Sequence, residues 1–410
     1  MQQKKNIALL VVCLLVIAGA AAMGFHFKQA AEVPVGGAAQ PESTVSSVDP
    51  SPQEDPGQSA DNGAIAPKNE IFSDYMEQAN QKLSTMTLEE RVGQVFLARY
   101  PGEADAAEQI KTLHPGGYVL FANDFKDKTK TNVKQELKNC QSVSEIPLIL
   151  GVDEEGGTVV RVSSNTALAP KRFSSPQSLY SQGGMAAVRE DTRQKSQLLL
   201  ELGLNLNLAP VADVSTDRSD FIYSRSFGMS AQRTAEYVEN VVTEMNKENL
   251  SGVLKHFPGY GNNEDTHTGI ARDKRPMSQF TETDFLPFSA GIEAGVPCVL
   301  VSHIIVECMD AEQPASLSAK VHQILRENLG FTGVIMTDDL SMEAITEYTG
   351  GENPAVAAFL AGNDMLMCSD LEQSYQALLE AVQQGEVTEE RLNESVARIL
   401  AWKYSKGILS

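Results

Sequence analysis

Short apolar runs separated by turn residues and helix-like stretches recur along most of the chain. The runs cover 92–100, 117–122, 147–152, 204–210, 252–256, 298–303, 333–337 and 364–368. Each is long enough for a strand and too short for a core helix. Between them the period changes to that of a helix. Ala235, Val238, Val241, Val242 and Met245 share one face of a helix predicted over 231–249. A second helix is predicted over 318–329, and a third over 388–402 with Leu392, Val396, Ile399 and Leu400 on one face. Strands that are apolar on both faces belong in a parallel sheet covered on both sides. Eight of them alternating with helices predict an α/β fold, a single (β/α)8 TIM-like barrel. A doubly wound open sheet is the second choice.

The first 68 residues follow neither pattern. Lys4 and Lys5 precede an apolar run over 7–25 that ends in small residues, which predicts an export signal or a membrane anchor over 1–28. Cleavage and retention are both open, so a membrane tether through 7–25 is one outcome and secretion the other. Residues 29–68 hold six of the 18 prolines among Ser, Gly, Ala and acidic residues. No apolar period offsets the entropy of ordering them, so a disordered linker is predicted. The remaining 69–410 form the predicted barrel domain, placed outside the cytoplasm.

Composition narrows the function classes. The 410 residues carry 33 Lys and Arg against 54 Asp and Glu, a formal charge of −21. A phosphate backbone needs a basic footprint, so nucleic acid is excluded as a partner. Beyond the signal, Cys140, Cys298, Cys308 and Cys368 form no C-x-x-C pair and no metal-like spacing. Buried free thiols are expected, with a Cys298–Cys308 disulfide left open. No metal and no cofactor is expected.

Polar residues gather where the runs end. Asp153, Asp213, Lys255 with His256, His303, and Asp338 with Asp339 each sit at the C-terminal end of a different predicted strand. One such residue is an ordinary turn former or cap. Five strand ends with Asp, Lys and His together converge, in a barrel, on the face that carries catalysis. After Lys255-His256 come Pro258, Gly259 and Gly261, then Asp265 and His267 at spacing two. In an extended loop that spacing puts carboxylate and imidazole on one side, suited to general acid/base work.

Five patches then resemble the family 3 glycoside hydrolases, in particular the NagZ-type β-N-acetylglucosaminidases. They are Gly151-Val152-Asp153-Glu154-Glu155-Gly156-Gly157 with Arg161; Ala209-Pro210-Val211-Ala212-Asp213 with Arg225-Ser226-Phe227-Gly228; Lys255-His256-Phe257-Pro258-Gly259; Thr337-Asp338-Asp339-Leu340-Ser341-Met342; and Gly362-Asn363-Asp364-Met365. Tyr260 stands where the family often has a second His, and the stretch from Gly261 to Asp265 is one residue shorter than common. The chain ends soon after its last predicted helix, so members that take their acid/base from a second domain are poor guides.

The resemblance implies a retaining exo-β-N-acetylglucosaminidase acting on a glycan with terminal β-linked GlcNAc, such as a peptidoglycan fragment. It implies Asp338 as nucleophile, His267 as acid/base with Asp265 as its partner, and Asp153, Arg161, Arg225, Lys255 and His256 as the residues that grip the terminal sugar. Lys255 and Arg225 are expected near Asp338, where their charge would favour its ionised form. The alternatives are a β-glucosidase or a GlcNAc-releasing phosphorylase on the same barrel, and a barrel that binds wall glycan without cutting it.

Overall fold

The computed structural model describes residues 70–263 and 269–410. The segments 1–28 and 29–68, and the Asp265 and His267 pair, lie outside the described residues.

Among the described residues there are ten strands: β1 (Phe96–Arg99), β2 (Gly117–Leu120), β3 (Ile149–Val152), β4 (Leu206–Asn207), β5 (Ser251–Phe257), β6 (Arg272–Asp273), β7 (Cys298–Val301), β8 (Ile305–Val306), β9 (Val334–Thr337) and β10 (Leu366–Cys368). Eight of them hydrogen-bond in the order β10-β1-β2-β3-β4-β5-β7-β9. Every pairing in that order is parallel. A parallel bridge from Met336 to Met365 joins the two ends of the order, so the sheet closes as a barrel. The open doubly wound sheet is thereby ruled out. Burial explains the continuous apolar runs: β2, β3, β5, β7, β9 and β10 are buried at every position, inside the barrel or under the helices.

The helices begin where side chains can cap them. Thr87 and Glu90 form a reciprocal capping box that starts Leu88–Gln94. Ser230 and Thr388 accept the otherwise free Arg233 and Arg391 N–H groups in the first turns of Ala231–Lys247 and Glu389–Ser405. The chain's Trp402 is fully buried under the barrel, its indole N–H donating to Ser251 Oγ at 3.0 Å.

Several boundaries differ from the sequence pattern. The run 92–100 splits, because the Thr87 cap carries Val92, Gly93 and Gln94 into a helix before β1 begins. The helix predicted over 318–329 is α-helical only over Ala319–Gln323 and continues as a wider turn over Ile324–Asn328. Strand β10 starts after Asp364, whose carboxylate is buried at the N-terminal end of the barrel. There it accepts from Arg326 at 2.7 Å, from Ser395 at 2.8 Å, from the Ile335 N–H at 2.9 Å, and from Arg398. Burial works to raise that carboxyl, but the Arg398, Arg326 and Arg391 charges hold it below its ordinary range. The parallel pair β6 and β8, outside the barrel sheet, has no counterpart in the sequence pattern. Cys298 and Cys308 are both free, the first buried and the second exposed, so no disulfide joins them.

Candidate active site

The C-terminal ends of the strands enclose a cavity of about 310 Å³. Its polar lining is Asp153, Arg161, Arg225, Lys255, His256, Asp338 and Asp339, and its apolar lining includes Phe121, Leu300, Met342 and Met367. The five predicted sugar-gripping residues and the predicted nucleophile therefore meet in one space. A larger cavity of about 700 Å³ lies among Phe72, Phe331, Arg326 and Arg398, but none of the carboxylates at the C-terminal strand ends lines it.

The cations are held by a buried network. Lys255 leaves β5 with its ammonium 2.6 Å from Asp153 Oδ1 and 2.7 Å from Glu155 Oε1. Arg225 grips Glu155 with two hydrogen bonds, Nε to Oε2 at 3.1 Å and Nη2 to Oε1 at 2.8 Å. Burial alone would raise the Glu155 carboxyl, but Lys255 and Arg225 hold it well below the usual carboxylate range. Burial would lower Lys255, and Asp153 and Glu155 overcome it and push the ammonium up. Arg225 is likewise held charged, chiefly by Glu155 against the cost of burial. The two cations make their direct ion pairs with Asp153 and Glu155 and line the same cavity as Asp338. Arg161 completes the rim, with Nη2 4.0 Å from Asp153 Oδ2. Its Nε is buried without a hydrogen-bond partner among the described residues.

Asp338 follows β9. Its N–H donates to the Val301 carbonyl at 3.0 Å, and its Oδ1 accepts the Asp339 N–H at 2.9 Å. Asp339 accepts from Ser341 Oγ at 2.5 Å and from Ser369 Oγ at 2.8 Å, so its carboxylate braces the turn. His303, also singled out by its strand end, is buried beneath. It donates from Nε2 to the Asp339 carbonyl at 2.9 Å, and its Nδ1 lies 2.8 Å from Ser316 Oγ.

Comparison with known proteins bears on this arrangement. The Glycosyl hydrolase family 3 N terminal domain matches residues 87–402. The chain belongs to glycosyl hydrolase family 3. A "Beta-hexosaminidase" of Xanthomonas axonopodis pv. citri is 32% identical over 255 residues, covering 61% of this chain and 75% of that protein. A "Beta-hexosaminidase A" of Pseudoalteromonas piscicida is 28% identical over 328 residues, covering 73% of this chain and 55% of that one. A solved family 3 beta-N-acetylglucosaminidase from Paenibacillus sp. superposes with a TM-score of 0.74 at 29% identity, covering 79% of this chain and 63% of that structure. This chain thus spans less than two thirds of the solved structure and of the second relative. Family membership makes it a glycosidase.

Three residues of this family 3 site carry no role in the sequence reading. Glu154, fully buried, accepts the backbone N–H groups of Arg161 at 2.8 Å, Val162 at 2.7 Å and Ser163 at 3.3 Å, and also the Ser163 hydroxyl. It shapes the loop that presents Arg161. Asn207, on β4, holds the Glu154 backbone through Oδ1 at 2.9 Å and Nδ2 at 3.1 Å. Glu155 is the third, the shared partner of Lys255 and Arg225. Three adjacent carboxylates, Asp153-Glu154-Glu155, follow the apolar strand β3, but the sequence does not say which of them meet cations, backbone donors or solvent.

Glu155→Gln should destabilise the fold by about 3 kcal/mol at neutral pH, since one partner of a buried ion cluster is removed. The folded carboxyl sits below its unfolded value, so the native protein holds this contribution above roughly pH 4.5 and loses it as pH falls further. Urea melts of both forms should show the gap at pH 7 and its narrowing below pH 4. Equal stability at pH 7 would remove Glu155 from the network.

Proposed function

We propose that this family 3 glycosidase is a retaining exo-β-N-acetylglucosaminidase of extracytoplasmic glycan, with peptidoglycan fragments bearing terminal β-linked GlcNAc as its substrates. The observation that carries the reading is a single cavity that joins Asp338 to the Asp153, Lys255, Arg225, His256 and Arg161 cluster. At about 310 Å³ it lies at the small end of ligand sites, in keeping with one terminal sugar. The names of the relatives support the N-acetylhexosamine class. The predicted signal over 1–28 supports a location outside the cytoplasm.

In this mechanism an Asp338 oxygen attacks the anomeric carbon while the glycosidic C–O bond breaks. His267 gives its proton to the departing oxygen. Water then loses a proton to His267 and attacks the same carbon, releasing Asp338 with retention of configuration. Asp265 orients the imidazole and stabilises its cation.

The test is hydrolysis of aryl β-GlcNAc against aryl β-glucoside by the purified protein, with and without phosphate. GlcNAc cleavage that does not depend on phosphate is expected. Preference for glucoside, or turnover only with phosphate, would overturn the substrate or the acceptor. His267→Ala should nearly abolish cleavage of disaccharides but spare the first step for an activated aryl leaving group, with azide rescuing the second. Equal loss on good and poor leaving groups, without rescue, would remove His267 from acid/base duty.

A further inference from the structure

Asp213 does not line the cavity, yet three donors converge on its carboxylate. Oδ2 faces His256 Nδ1 at 2.7 Å and accepts the His256 backbone N–H at 3.1 Å, while Oδ1 accepts the Tyr260 N–H at 2.7 Å. Its side chain is fully enclosed. On the far edge of the same imidazole, His256 Nε2 lies 3.2 Å from Arg225 Nη2.

A guanidinium has donors and no acceptor. The contact with Arg225 therefore requires a lone pair on Nε2, and the ring proton must sit on Nδ1, where the Asp213 carboxylate receives it. The opposite tautomer would set N–H against N–H at Arg225 and a lone pair against a carboxylate at Asp213. The ring plane is fixed as well, by edge contact with Tyr260 at a centroid distance of 5.4 Å and an interplanar angle of 78°.

We propose that Asp213 is a positioning residue that sets the His256 tautomer, so that His256 accepts from Arg225 and orients the guanidinium at the cavity wall. The order then runs on through ion pairs, from Arg225 to Glu155, from Glu155 to Lys255, and from Lys255 to Asp153. An acceptor at Nε2 leaves His256 without a proton to give there. Its part is to hold the sugar-gripping cations in place, while acid/base work falls to another group. The effect on substrate rests on the proposed activity; the tautomer does not.

Two measurements on the whole protein test this. The first is the ¹⁵N imidazole spectrum, in which each tautomer has its own pattern of nitrogen shifts. The chain has six His, and His256→Gln identifies the signal. The Nδ1–H form is expected at neutral pH without substrate; an Nε2–H form or an imidazolium would overturn the proposal. The second is Asp213→Asn, whose single carbonyl cannot accept from both His256 and Tyr260. It should alter the His256 nitrogen pattern and raise KM on aryl β-GlcNAc by roughly tenfold to a hundredfold, with a smaller change in kcat, the size expected for losing a hydrogen bond to a charged group. A variant with the wild-type nitrogen pattern and wild-type KM would overturn it. Should Asp213→Asn fail to fold, the wild-type spectrum still decides. Should aryl β-GlcNAc prove not to be a substrate, the proposed activity fails, and the spectrum by itself still decides the role of Asp213.

Discussion

Asp338→Ala is expected to lower turnover on aryl β-GlcNAc by roughly 10³-fold or more, because the covalent route loses its nucleophile. The fold should survive. The Asp338 backbone is held by the Val301 carbonyl on the neighbouring strand β7, whatever the side chain. Among its contacts the carboxylate accepts a local hydrogen bond from the Asp339 N–H, worth about 1 kcal/mol. The melting temperature should therefore move by only a few degrees while kcat collapses. A fluorinated GlcNAc analogue that traps the glycosyl-enzyme should label Asp338 in the native protein. Near-normal turnover in the variant, or a label on any other carboxylate, would assign the nucleophile elsewhere.

Lys403→Met should stabilise the protein by roughly 1–3 kcal/mol near pH 7, the relief of about 4 kcal/mol of desolvation being partly offset by the buried Gln94 Oε1 that loses its donor. Lys403 is fully buried on the last helix, with its ammonium 2.7 Å from Gln94 Oε1. Burial pushes it down to about 7 from an ordinary value of 10.5. The unfolded chain binds this proton over pH 7 to 10.5 and the folded chain does not, so native stability rises with pH through that window. Below about pH 7 the penalty is present in full. Methionine has a similar length and no charge, so its advantage should be largest at neutral and lower pH and should shrink toward pH 10. Chemical denaturation of both proteins at pH 6, 8 and 10 measures it. A constant difference across that range would mean that the ammonium finds solvation in the folded state.

The barrel was readable from the chain because parallel strands buried on both sides admit little besides apolar residues. The pattern failed where a local signal competed with it. Val92 reads as strand, yet the Thr87 and Glu90 cap commits it to a helix one turn upstream of β1. Conversely β6 and β8 bring together two short segments far apart in sequence, and two residues each carry too little periodicity to announce a strand.

The site shows the same division. Asp153, Lys255, His256 and Asp338 were legible because each stands at the C-terminal end of a strand, and the barrel sends all strand ends to one face. Arg161 and Arg225 lie in loops and entered only through likeness to a family. Glu154, Glu155 and Asn207 stayed silent, since a carboxylate or an amide after a strand looks the same whether it meets solvent, cations or backbone donors. Charge and periodicity along the chain determined the fold class and the face that carries chemistry, because both depend on neighbours in sequence. The pairing of Glu155 with Lys255 and Arg225, and the grip of Asp213 on His256, were decided by the tertiary structure alone. They join residues 100, 70 and 43 positions apart, and only barrel closure brings such groups within hydrogen-bond reach in a space dry enough to make the pairing obligatory.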